Sequence, residues 1–415
     1  MLKMNQSKSV LGISLPLPNG TIIKNRIFKS AMSEALGTVY QNPSESLVTL
    51  YKTWAEGGAG IVMTGNVMID RNALGEPNNV ALEDERDLKM LMKWAKAGTE
   101  NGTHLWMQLN HPGKQSPKMI SKEPVAPSAV PLTGGLKRFF NQPRALQVSE
   151  IEDLINRFGE AARIAKKAGF TGVQIHAAHG YLFNQFLSPY HNQRTDEWGG
   201  TLANRMRFLE ESYKEIRKQV GRSFPIGIKL NSADFQKGGF TEDESMEVLQ
   251  KMSELGIDLI EISGGNYENP IMMGVDVKET TKKREAYFID YAKKAQALIT
   301  TPIVVTGGFR TQKGMEEAIA NGEIDMVGIA RPFALVPDLA NRIFNGSYET
   351  VHAKPIRTGI KRIDKSASLL EIGWYEQQLA RMGKSKSPNP DHNVWISLIQ
   401  NLLGNGRSVF FRRRA

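Results

Sequence analysis

Cysteine is absent from all 415 residues, which removes disulfides, iron–sulfur clusters, thiolate zinc sites and cysteine nucleophiles at once. Long apolar runs are missing too. No stretch approaches the roughly 18 to 20 residues that a membrane-spanning helix needs. The opening MLKMNQSKSVLGISLPLPNG lacks the continuous apolar core of a secretory signal. A cytoplasmic location without membrane insertion is the resulting expectation. Positive charge is in excess, at +10, but it is not spread evenly. Residues 353–415 hold twelve Lys and Arg against four Asp and Glu, so the preceding body is nearly neutral. A nucleic-acid groove needs a basic stripe interleaved with stacking aromatics on the folded body. The sequence shows none, so a small molecule rather than nucleic acid is the expected partner.

What is present is an alternation. Short apolar, β-branched segments fall at 26–33, 60–69, 104–110, 172–177, 225–231, 258–263, 302–308 and 324–330, separated by segments of helical period. From Ser149 to Ala168 the apolar positions Ile151, Leu154, Ile155, Phe158, Ala162, Ala165 and Ala168 share one helical face. SEIE at Ser149 and TEDE at Thr241 read as capping boxes. Eight strand–helix units predict an α/β fold, a closed (β/α)8 TIM barrel over residues 1–350. Residues 351–415 read as a short, mostly helical basic C-terminal extension that packs on the barrel or on a partner subunit, which is compatible with a homo-oligomer. Its ending FFRRRA also allows contact with an anionic membrane surface, although docked helices with a solvated basic end are the simpler reading.

Active sites of such barrels gather at the C-terminal ends of the strands, where Ser33, Gly65, Gln108, His176, Lys229, Gly307 and Arg331 fall. VVTGGFR ends strand seven, and GIARPF ends strand eight. Glycines that allow close approach, free amides at a helix start and a guanidinium together suit a phosphate. The sequence HAAHGY, after strand four, brings together two of the seven histidines and a tyrosine. It is not the helical HExxH of metalloproteases, and no third ligand stands nearby, so no metal is expected. Imidazole N–H groups can hold a carbonyl or developing oxyanion, and a phenol can deliver a proton. Lys229 ends an apolar strand and admits three readings: a cation beside an electron-rich cofactor, a Schiff-base amine of an aldolase-type barrel, or an ion pair with a carboxylate on a neighbouring strand.

The segment HAAHGYLFNQFLSPYHNQRTDEWGGTLANRMRFLEE resembles the characteristic stretch of the Old Yellow Enzyme family of FMN-dependent ene-reductases. The likeness extends from NRIFKSAMSE through MQLNHPGKQS and VVTGGFR to GIARPF, roughly residues 8–345. It implies a barrel that holds FMN noncovalently, takes hydride from NADH or NADPH and reduces electron-poor alkenes such as α,β-unsaturated carbonyl or nitro compounds. By that resemblance Ser30, Ala31, Met32 and Ser33 line the isoalloxazine, with Gly65 and Gln108 at its pyrimidine edge. Lys229 stands beside the reduced ring, which favours the cofactor reading over the aldolase one. Gly307, Gly308, Phe309, Arg310, Ala330 and Arg331 bind the phosphate. His176 and His179 grip the substrate oxygen, and Tyr181 protonates the α-carbon. Ser33 stands where several branches carry Cys or Thr, and Ala35 where some carry a substrate-contacting Tyr. The branch with a cysteine-ligated cluster is excluded because this chain has no cysteine.

Overall fold

The computed structural model describes residues 9–269, 285–351, 356–360, 367–400 and 403. Eight parallel strands close on themselves: β1 (Ile27–Lys29), β2 (Ile61–Met68), β3 (His104–Asn110), β4 (Gly172–Ala177), β5 (Ile226–Asn231), β6 (Leu259–Ser263), β7 (Ile303–Thr306) and β8 (Met326–Ile329). Each pairs with its sequence neighbours, and β8 returns to β1, where Val327 faces Ile27. The predicted barrel and all eight of its strands are thus observed.

Helices cover the outside: α1 (Glu45–Glu56), α2 (Leu88–Gly98), α3 (Val148–Ala168), the short α4 (Leu182–Leu187), α5 (Leu202–Val220), α6 (Glu242–Glu254), α7 (Ile289–Gln296), α8 (Gln312–Ala320), α9 (Arg331–Leu335) and α10 (Leu339–Asn345). The Thr241 capping box forms as expected: the Thr241 N–H donates to Glu244 at 3.1 Å and the Glu244 N–H to Thr241 Oγ1 at 3.2 Å. The one expected at Ser149 is displaced. The Gln147 N–H donates to Glu150 at 2.8 Å and the helix starts at Val148, because Glu150 stands three residues after the last extended residue and can reach back to its amide. Gly169 ends α3 in the left-handed conformation at φ 96°, which glycine adopts without a Cβ penalty.

The barrel has two apolar layers. Outside the strands, their outward side chains pack against the helices. Inside, Phe28, Ile61, Met63, Trp106, Leu259, Val304 and Met326 fill the lower half, plugged from below by Leu15, Leu17 and Ile23 of an antiparallel hairpin, Leu15–Pro16 with Ile22–Ile23. Trp106 occupies the axis because two neighbours are glycine. A Cβ on Gly172 would come within 2.5 Å of its ring and one on Gly227 within 2.9 Å. That floor leaves the upper half free for polar groups.

Above the floor the inward residues are Ser30, Gln108, Gln174, Lys229, Glu261 and Thr306, all buried or nearly so. Register sets Lys229 beside His176 on β4 and Glu261 on β6. Lys229 Nζ lies 3.0 Å from Glu261 Oε1. The same carboxylate accepts Thr306 Oγ1 at 2.6 Å and Gln174 Nε2 at 2.8 Å, and Gln108 Nε2 donates to Gln174 at 2.7 Å. Ser30 Oγ completes the belt at 2.7 Å from Thr306 Oγ1. A buried ion pair stripped of one partner costs about 3–5 kcal/mol, so this belt holds together as a unit.

The C-terminal region adds α11 (Ala367–Met382), whose Leu370, Trp374, Leu379 and Met382 are buried. It packs against α1 and α9, which puts it at the mouth of the barrel rather than at its base. The Trp374 indole donates to the His392 carbonyl at 2.9 Å and ties the chain after α11 back onto it. The ending FFRRRA, on which the membrane-surface reading rested, lies outside the described residues. Among the described residues no helix is long and apolar enough to cross a membrane.

Candidate active site

A cavity of about 260 Å³ opens above the polar belt. Its lining joins Ala31, Met32 and Ser33 after β1, Gln108 on β3, Lys229 on β5, and His176, His179 and Tyr181 from the end of β4. Asn66, Glu76 and Tyr267 add to the same wall, and Glu371, Ile372 and Tyr375 reach in from α11. A second cavity of about 200 Å³ lies beside it, lined by Thr306, Gly307, Gly308, Phe309, Arg310 and Gly328. Ala330 and Arg331 border both, so the two cavities are neighbours.

The histidine turn is held under strain. His179 sits at φ 61° and Gly180 at φ 78°, a conformation that costs a non-glycine residue about 1 kcal/mol or more and persists only where surroundings impose it. Here they do: the His179 N–H donates to Asn231 Oδ1 at 3.2 Å and the Gly180 N–H to Asn184 Oδ1 at 2.7 Å. Asn184 in turn donates to the buried Asp234 at 3.0 Å. The result is three rings in contact, with His176 5.1 Å from His179 and 4.8 Å from Tyr181 between centroids.

Protonation follows from these partners. Burial pushes both imidazoles well below the usual histidine range, and the nearby Lys229 charge adds to the effect. Both are therefore neutral near pH 7. The Ala178 N–H donates to His176 Nδ1 at 3.3 Å, so the ring proton belongs on Nε2, which becomes a donor towards the cavity. His179 Nε2 lies 2.7 Å from Ser263 Oγ, which leaves Nδ1 for a ligand. Burial raises the Tyr181 phenol well above its ordinary value, with Tyr267 contributing, so it stays protonated. Its hydroxyl lies 2.8 Å from that of Tyr267 and 3.5 Å from Asn66 Nδ2.

Two of the residues assigned to the flavin are not among those that line either cavity. Ser30 is buried in the polar belt below the cavity. The Gly65 N–H donates to the Glu34 carboxylate at 3.0 Å, and Glu34 also receives the Tyr51 hydroxyl. Neither lines the cavity. Ser30 Oγ is engaged with Thr306, and the Gly65 amide is taken by a carboxylate. The remaining residues line one or other of the two neighbouring cavities. Gly307 and Gly308 have φ of 120° and 96°, and a Cβ on Gly308 would fall 2.8 Å from the Ala286 nitrogen, so only glycine leaves that cradle open. The amides of Arg310 and Thr311 donate to Glu285 at 2.8 and 3.2 Å, and Arg331 pairs with Glu371 at 3.4 Å. Both cationic features of the cradle thus already face a carboxylate of the chain, as groups suited to an anion do. Among the described residues no three His, Asp or Glu side chains converge as metal ligands.

Several site residues escape a reading by motif. Glu261 left a signal, a lone charge in the apolar strand LIEIS opposite the lone charge in IGIKLN. Tyr267, Glu76, Glu371 and Tyr375 left none, because nothing in their local sequence says where the chain brings them.

Residues 16–350 match the model of the NADH:flavin oxidoreductase / NADH oxidase family. The NADH-dependent flavin oxidoreductase iliE of Hypocrea jecorina is 37% identical over 80% of this chain and 89% of its own. The protein of the same name from Neonectria sp. is 38% identical over 89% of this chain but 51% of its own, so this chain spans about half the length of that relative. Among solved structures, the old yellow enzyme homologue from Zymomonas mobilis superposes with a TM-score of 0.70 at 25% identity, covering 83% of this chain and 94% of that one.

Proposed function

Because the chain belongs to the NADH:flavin oxidoreductase / NADH oxidase family, whose cofactor is FMN, we propose that it reduces electron-poor alkenes, α,β-unsaturated carbonyl or nitro compounds, at the expense of NADH. When bound, FMN supplies the hydride chemistry, accepting hydride from the nicotinamide and passing it to the substrate. The chain's own residues do the rest. Ala31, Met32, Ser33 and Gln108 would hold the ring system, Lys229 would offer it a cation, and Gly307 to Arg310 with Ala330 and Arg331 would hold the phosphate.

The observation that carries this reading is the convergence of His176, His179 and Tyr181 on one cavity that neighbours the glycine-lined one after β7. A neutral His176 with its proton on Nε2 donates to the substrate's carbonyl or nitro oxygen, and His179 holds the same atom from the side. Donors fixed in place before the reaction stabilise charge as it develops there. Polarised in this way, the double bond accepts hydride at its β-carbon. Tyr181, kept neutral by burial, gives its proton to the α-carbon. The Schiff-base alternative loses its ground, since Lys229 is engaged by Glu261 at 3.0 Å and the family is one of oxidoreductases.

The test is Tyr181→Phe in the FMN-loaded protein, followed by stopped flow. Alkene reduction should slow on the order of 10²-fold, while reduction of the flavin by NADH changes little. Equal loss of both half-reactions would remove the proton-donor role. Failure of the purified protein to take up FMN would remove the reading altogether.

A further inference from the structure

The C-terminal region has a side that the reaction does not use. After α11 the chain turns back, and positions 394–400 and 403 are again helical. This second helix is held down along one side. Val394 and Leu398 pack against the hydrophobic core, and Ser397 is buried. The Ser397 carbonyl accepts from Gln377 Nε2 at 2.9 Å, His392 Nε2 lies 2.8 Å from Gln377 Oε1, and the Asn389 N–H donates to Gln378 Oε1 at 2.7 Å. Asn393 caps the start, its Oδ1 accepting the Trp395 N–H at 2.8 Å. With that side fixed, the opposite side faces solvent.

The side that faces solvent is apolar. Trp395, Ile396, Ile399 and Leu403 are 40%, 49%, 56% and 64% exposed, and their spacing puts all four on one face of a helix. Single exposed apolar residues are ordinary, whereas a contiguous stripe marks a surface that a partner covers. The charge nearby selects the partner. The turn between the two helices carries Lys384 and Lys386, both exposed. The residues that follow, GNGRSVFFRRRA, add Arg407, Arg412, Arg413 and Arg414 with two phenylalanines. From residue 383 to 415 there are six Lys and Arg against Asp391 alone. An apolar helical face flanked by cations is the composition of a segment that lies in the headgroup layer of a bilayer with anionic lipid. A second copy of the chain fits less well, because seating one face on the other brings two excesses of positive charge together. Nucleic acid would engage the arginines but leave the four apolar side chains in water.

We propose that the helix carrying Trp395, Ile396, Ile399 and Leu403, with the basic residues on either side of it, is a docking surface for membranes that contain anionic lipid. The apolar side chains enter the boundary between headgroups and acyl chains, and the cations meet the lipid phosphates and carboxylates. The association is peripheral and reversible, since the segment is far shorter than a membrane span. It also bears on the cavity. On α11, Glu371, Ile372 and Tyr375 line the cavity, while Trp374, Gln377 and Gln378 hold the segment that leads to the exposed face. One helix therefore serves both the cavity and the docking surface.

The FMN-loaded full chain is sedimented with vesicles of phosphatidylcholine alone and of phosphatidylcholine with about 30% phosphatidylserine, at about 0.1 M and about 0.5 M salt. Binding to the anionic vesicles should be at least roughly 10-fold tighter than to the neutral ones and should weaken at the higher salt. Ile396→Ser combined with Ile399→Ser should weaken it roughly 10-fold or more. Arg412→Gln, Arg413→Gln and Arg414→Gln together should weaken it on the order of 10²-fold. None of these residues has a place in the reaction, so the flavin spectrum, the melting temperature and reduction of the flavin by NADH should match the wild type and establish that the variants are folded. Absence of vesicle binding, or binding that ignores lipid charge or survives both sets of substitutions, would overturn the proposal. So would a wild-type dimer, seen by sedimentation velocity without vesicle binding, that the two Ser substitutions convert to monomer, since the face would then seat a second copy. Arginine-dependent binding to a DNA duplex with none to vesicles would assign the basic residues to nucleic acid instead.

Discussion

One part of the cavity lining, His176, His179 and Tyr181, comes from within six consecutive residues, while another, Glu371, Ile372 and Tyr375, comes from a helix nearly 200 residues further along the chain. The first is locked. A strand end, a left-handed turn and the Asn184–Asn231–Asp234 cluster leave its three rings one arrangement. The second is held by side-chain packing along α11, by the Ser33–Glu376 hydrogen bond and by the Arg331–Glu371 pair at 3.4 Å. The Arg331 side chain is 37% exposed, and such pairs contribute at most about 1 kcal/mol. On the proposed function, the chemistry that needs atoms fixed within fractions of an ångström falls to the locked wall. The docked wall closes the cavity from the side of α11.

The largest expected difference between the walls is chemical. On the proposed function His176→Ala removes a donor to the substrate oxygen, and kcat/KM for the alkene should fall on the order of 10²–10³-fold, with melting temperature changing little. A comparably large effect on reduction by NADH would mean that this wall serves the nicotinamide instead.

Next comes packing. Trp374 is 3% exposed on α11, and its truncation to Ala should cost about 3–5 kcal/mol of local stability. Limited proteolysis should then cut within residues 351–400 while the barrel melts as before. Loss of the whole fold in one transition would show that the two walls form one cooperative unit and that the contrast between them does not hold.

A smaller effect is expected with pH. The Glu376 carboxyl titrates near 8 in the folded protein, above its ordinary value of 4.5. The folded state then binds more protons between those values, so the group's contribution is full below about 4.5 and is lost as pH rises towards 8. Docking of α11, followed by protease sensitivity, should loosen over that interval and level off above it. Glu376→Gln should flatten the dependence, and a helix that docks more tightly as pH rises would contradict the assignment.

How much of this was legible beforehand depended on the range of the interactions. The eight strands were, because alternation of apolar segments is a local pattern. The start of α3 was misplaced by two residues, because Ser149-Glu152 and Gln147-Glu150 offer the same three-residue spacing and only the helix axis chooses between them. Lys229 kept three readings in the sequence, and register selected its partner by setting Glu261 opposite it. Ser30 meets Thr306 and the Gly65 amide meets Glu34, contacts that depend on which strands and loops lie side by side.

By itself the sequence determined the barrel, the strand ends that carry the His176–Tyr181 cluster and the glycine cradle after β7, since strand period and turn chemistry act over a few residues. Only the tertiary structure decided the neutral tautomer of His176, the Lys229–Glu261 pair, and the arrival of Glu371, Ile372 and Tyr375 at the cavity. Those depend on burial and on contacts between residues far apart in the chain, which no local pattern encodes.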